Sequence, residues 1–144
     1  MHWCDGSAEE YAALWRTLVA GGTFEKLADA KRPNSYLALS DLVTGERTYD
    51  WGTLERLLDN IASRGHQAIL RVYVEYPGKE SAVPDYLVEA GVKVHEDTGT
   101  PDYEDARLRA CLGAFIAAFG ARSDGDPRLG FLTAGLLGKW GEWH

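Results

Sequence analysis

The sequence predicts an α/β fold in which parallel strands are covered by helices. Three observations carry that expectation. Short apolar runs of strand length alternate with longer segments of helical period, glycines close the helical segments, and the last apolar run passes directly into WGEWH. Strands alternating with helices imply crossover connections and a parallel sheet, and in such sheets ligands gather outside the carboxyl ends of the strands.

Composition limits the function classes. The 144 residues are 45% hydrophobic and 26% charged, which suits one globular unit spanning residues 1–144. A formal charge of -7 without any cluster of Lys and Arg argues against nucleic acid as a partner. Cys4 and Cys111 stand far apart with no CxxC spacing, so neither a zinc ribbon nor a disulfide scaffold is expected. No apolar run reaches the roughly eighteen residues of a membrane span. MHWCDGSAEE lacks the basic and apolar regions of a signal peptide, and a soluble protein is expected.

The elements follow in order. Ser7 and Glu10 have capping-box spacing, and Tyr11, Leu14, Trp15, Leu18 and Val19 recur at helical intervals until Gly21 and Gly22. A further strand before Ser7 would have to be the fragment MHWC. SYLALSDL, residues 35–42, has strand length. In YDWGTLERLLDNIASRG, Leu54, Leu57, Leu58 and Ile61 share a helical face, and Gly65 stands where the helix should stop. QAILRVYVE then alternates: Ala68, Leu70, Val72 and Val74 form one face, Ile69, Arg71, Tyr73 and Glu75 the other. The second face turns polar towards its carboxyl end, as a barrel strand does where it lines a pocket.

Residues 76–99 form a long proline-punctuated loop, with a helical turn expected over 84–90 and an extended piece over 92–95. Thr100 and Pro101 have the cap-and-proline form of a helix start, and Leu108, Cys111, Leu112, Phe115, Ile116 and Phe119 supply a buried stripe on which Cys111 should be inert. Residues 129–137 are expected to be the final strand, which delivers Trp140, Glu142, Trp143 and His144 to its carboxyl end.

Several segments resemble the amino-terminal half of a clan-A glycoside hydrolase. SDLVTGERTYDWGTLERLLDNIASRG is similar to the turn and helix after the second strand of those barrels, AILRVY to the third strand, VPDYLVEAG to a helical turn in the next loop, and GFLTAGLLGKWGEWH to the fourth strand with its terminal acid. The GxWGEWH ending resembles bacterial barrel proteins related to β-galactosidases. The resemblance implies a partial TIM (β/α)8 barrel of about four βα units, with Glu142 as general acid/base and hydrolysis of O-glycosidic bonds by the intact protein. It departs from the family in having Gly141 where asparagine is usual, and in lacking a seventh strand with its nucleophile.

Hydrolysis needs a second carboxylate facing the first, so the fragment alone should be inactive. Trp140 and Trp143 would stack on sugar rings and shield Glu142 from water, favouring a proton donor. Arg71, Tyr73, Glu75, Asp41 and His144 are the further substrate-binding candidates. The bland reading is that the indoles plug the barrel mouth while Glu142 pairs with Arg71 or Lys139. A non-catalytic carbohydrate-binding barrel is the alternative function. The implied partners are a carbohydrate and the carboxyl-terminal half of the barrel; without that half, open strand edges imply marginal stability or association with a second copy. No cofactor or metal is expected: GLLGKWG lacks the Walker spacing, and His95, Glu96 and Asp97, consecutive in extended chain, point to opposite sides.

Overall fold

The computed structural model describes residues 36–143. By its internal contacts the chain divides after Asn34, and the second unit, Ser35–His144, holds all the described residues. The helix expected from Ser7, the fragment MHWC and the candidate His144 lie outside them.

The run expected as one strand over residues 35–42 breaks in two. β1, Tyr36–Ala38, is followed at once by a single helical turn, α1, Leu39–Leu42. The reason lies in the spacing: Leu39 and Leu42 are three apart, so one turn buries both, whereas in a strand they would point to opposite faces. Two short strands, β2 (Val43–Gly45) and β3 (Thr48–Tyr49), form an antiparallel hairpin around Glu46 and Arg47. Asp50 Oδ1 accepts from the Gly52 N–H at 2.7 Å and opens α2, Gly52–Ala62, which buries Leu54 and Leu58 and ends before Gly65 at φ 76°.

β4, Ala68–Tyr73, is the central strand. It pairs in parallel with β1, placing Tyr36 beside Arg71 and Ala38 beside Tyr73, and on its other side with β5, Leu129–Thr133, placing Phe131 beside Ile69 and Thr133 beside Arg71. Between β4 and β5 lie α3, Asp85–Glu89, and α4, Ala106–Ser123. Leu70, Val72 and Val74 join Leu54 and Leu58 of α2 and Leu108, Leu112, Phe115 and Phe119 of α4 in one core. Ile116, expected in that stripe, is 58% exposed.

Two elements depart from expectation at their ends. α4 begins at Ala106 rather than at Pro101, because Pro101 is held in an antiparallel bridge with Val94 while Asp105 caps the helix by accepting the Arg107 N–H at 2.8 Å. The final strand stops at Thr133. Beyond it the chain runs through tight turns, with Leu136, Trp140 and Trp143 at φ 71°, 57° and 66° and the Trp143 N–H donating back to the Leu137 carbonyl at 3.0 Å.

The architecture is therefore not a partial TIM barrel. Among the described residues there are three parallel strands, a separate two-stranded antiparallel hairpin and four helices, in a small mixed fold without closed or repeating βα units. No described helix is long and apolar enough to cross a membrane.

Candidate functional site

Parallel register assembles a cluster at the carboxyl edge of the sheet. Arg71 projects from the face of β4 opposite the core, and the pairing with β1 sets its guanidinium over the Tyr36 ring, 5.3 Å from the centroid. One nitrogen of that guanidinium donates to the Trp140 carbonyl at 3.1 Å and to Glu142 Oε1 at 3.2 Å. Arg71 thus holds the turn after β5 through its backbone and its carboxylate together. The Glu142 side chain is 50% exposed and that of Arg71 19%, so the pair faces solvent on one side and its contribution to stability is modest.

Aromatic rings surround the pair. Tyr76 packs edge-on against Tyr36 at 5.6 Å, Tyr73 at 5.3 Å and Trp140 at 6.4 Å between centroids, and the Lys79 ammonium lies 4.5 Å from the Tyr76 centroid. Tyr73 is buried and serves as the packing partner of Tyr76, while Tyr36, Tyr76 and Trp140 are half-buried.

Glu75 has another duty. It is 3% exposed and accepts from the Thr100 hydroxyl at 2.6 Å and the Tyr103 phenol at 3.1 Å; the Tyr103 oxygen in turn accepts the Gly138 N–H at 3.2 Å. This chain of bonds links the end of β4 to the segment before α4 and to the turn that carries Trp140 and Glu142. Burial, and next the negative charge of Glu75, push the Tyr103 phenol well above its ordinary pKa. The turn is also pressed against β4: the Leu136 N–H donates to the Val72 carbonyl at 3.0 Å, and a Cβ on Gly135 would run into that same oxygen.

The two indoles expected to flank Glu142 part company. Trp140 stays with Tyr76 and Arg71. Trp143, 65% exposed, lines a separate apolar hollow with Val72, Phe115, Leu132 and Leu136 on the helix-covered side of the sheet. Asp41 is exposed in α1 and makes no hydrogen bond or ion pair with the cluster among the described residues. Tyr36, Tyr76, Thr100 and Tyr103 join the site without being marked by any motif in the sequence. Tyr36 had a usable signal, since parallel pairing of the first two long-range strands brings it beside Arg71; Thr100 and Tyr103 meet Glu75 only through the long loop.

Comparison with known proteins gives a short match. A 38-residue segment, 26% of this chain, is 60% identical to phosphoenolpyruvate carboxykinase [GTP] of Corynebacterium kroppenstedtii and to that of Neocallimastix frontalis. The chain spans about 6% of the length of either enzyme. No family model matches. The resemblance to clan-A glycoside hydrolases and β-galactosidase-related barrels is corrected by these findings: the similarity found is a 38-residue match to carboxykinases, and the described residues form no barrel.

Proposed function

We propose that the Arg71 cluster is a non-catalytic binding site for a carbohydrate. The observation that carries the reading is the Arg71–Glu142 pair set beside the half-buried rings of Tyr36, Tyr76 and Trp140. Pyranose rings present apolar C–H faces and a rim of hydroxyls, so they suit an aromatic surface with fixed donors and acceptors at its border. Glu142 accepts from hydroxyls, Arg71 and Lys79 donate, and the rings take the sugar face. Among the described residues the acid of this cluster on the solvent side is Glu142, since Glu75 is buried and already accepts two hydrogen bonds. That division suits binding rather than a two-carboxylate hydrolysis. A carboxykinase activity is not carried over, because the matched segment is 6% of that enzyme.

Titrating the full chain with lactose, cellobiose and maltose, followed by tryptophan fluorescence, tests the proposal. At least one disaccharide should saturate a change in emission, W140A should abolish it, and E142Q should weaken the affinity about tenfold, the value of one charge-assisted hydrogen bond. Emission indifferent to all three sugars, or binding untouched by W140A, would overturn it.

A further inference from the structure

A second hollow lies away from this cluster and shares no residue with it. It opens between the β2–β3 hairpin, α3 and α4, and encloses about 350 Å³, at the lower end of the volumes of small-molecule sites. Val43, Leu87, Ala110 and Ala114 make its wall apolar. Tyr86 and Cys111 also line the wall. Burial pushes both groups up from their ordinary pKa values, so both are neutral at neutral pH.

The charged rim is asymmetric. Arg107 is occupied: it donates to Asp105, to the Ala90 carbonyl and, at 3.2 Å, to the Gly91 carbonyl. Arg47 has no hydrogen-bond or ion-pair partner among the described residues, and its neighbour Glu46 does not pair with it. Arg47 also sits at φ 52° in the hairpin turn, a conformation in which glycine or asparagine is the ordinary residue. A long cationic side chain is thus carried at a backbone position that disfavours it, at the mouth of an apolar hollow.

We infer that this hollow binds a small amphipathic monocarboxylate, with its apolar tail against Val43, Leu87 and Ala114 and its anion on Arg47. With Arg107 already engaged, Arg47 is the cation of this rim left to meet a ligand among the described residues; it matches one negative charge and repels an ammonium, while Glu46 beside it opposes a second negative charge. The hollow's volume accommodates a tail of phenyl-propyl size.

Calorimetric titration of the full chain with 4-phenylbutyrate and with the neutral 4-phenylbutanol is the test, with R47G as the decisive variant. The carboxylate should bind in the millimolar range or tighter, about tenfold better than the alcohol, and should slow alkylation of Cys111 by N-ethylmaleimide, read by peptide mass spectrometry. R47G relieves the strained turn, so it should melt at a higher temperature than the parent and yet lose the tenfold preference for the carboxylate. Equal binding of carboxylate and alcohol, an R47G variant that keeps the preference, or no saturable heat with either compound would each overturn the inference.

Discussion

Tyr103 shows how one side chain can set the geometry of a site it does not enter. Its phenol satisfies buried Glu75 and receives the Gly138 N–H, so Y103F removes both bonds while keeping the ring. Leaving a buried carboxylate with one partner fewer costs about 1–3 kcal/mol, and the midpoint of urea unfolding should fall accordingly at neutral pH. The pH dependence carries a sign. Because the folded-state pKa of Tyr103 is raised above the ordinary value near 10, the stability due to its neutral form is whole below pH 10 and is lost as pH rises towards the folded value. Stability curves should therefore converge above pH 10, with Y103F declining less steeply than the parent; parallel curves would show that Tyr103 does not titrate with unfolding. Gly135 acts by what it lacks. G135A forces its new methyl against the Val72 carbonyl and should cost about 1–3 kcal/mol in the same measurement, more than an alanine at Gly113, where nothing lies within 4 Å of the added carbon.

At the scale of elements, α4 illustrates what local sequence can and cannot specify. Thr100 followed by Pro101 has the form of a helix start, and so does Asp105; the chain uses the second because Pro101 is committed to the bridge with Val94 and Thr100 to Glu75. Competition of that kind is settled by long-range contacts, which no window of sequence contains. β4 was legible because Ala68, Leu70, Val72 and Val74 place an apolar residue at every second position, and α2 because its apolar spacing and closing glycine agree. β1 and α1 look like one strand in the sequence, since an apolar run of that length does not distinguish a strand from a strand followed by a single turn. The cap itself predicts an acid response. Asp105 is held at about 2 by its hydrogen bonds with Arg107, below its ordinary value of 3.8, so its stabilisation is present above pH 4 and is lost as pH falls towards 2. D105A should lower the melting temperature by a few degrees at pH 7 and by much less at pH 2; D105N, which keeps an acceptor, should stay closer to the parent at pH 7.

For the whole molecule, the polarity of β4 was readable but sheet closure was not. Alternation says which side chains share a face, whereas the number of strands and the curvature that joins them depend on partners distant in sequence. Residues expected to gather around one acid accordingly divide between two sides of a three-stranded sheet, Arg71, Trp140 and Glu142 on one and Trp143 on the other. The same openness governs behaviour in solution. Among the described residues β5 pairs only with β4, and it displays Phe131 at 63% and Leu132 at 56% exposure beside an unpaired backbone edge. An exposed apolar edge strand is a template for pairing with another chain, and a lysine placed on it opposes such pairing by charge. F131K removes little buried contact, so its unfolding midpoint should stay within about 0.5 kcal/mol of the parent. Its onset of light scattering on concentration should move to higher protein concentration, while F115K, which puts the same charge into the core, should unfold the protein. If F131K instead lost stability on the scale of a core substitution with its scattering unchanged, the edge would be packing against the body of the chain rather than facing solvent.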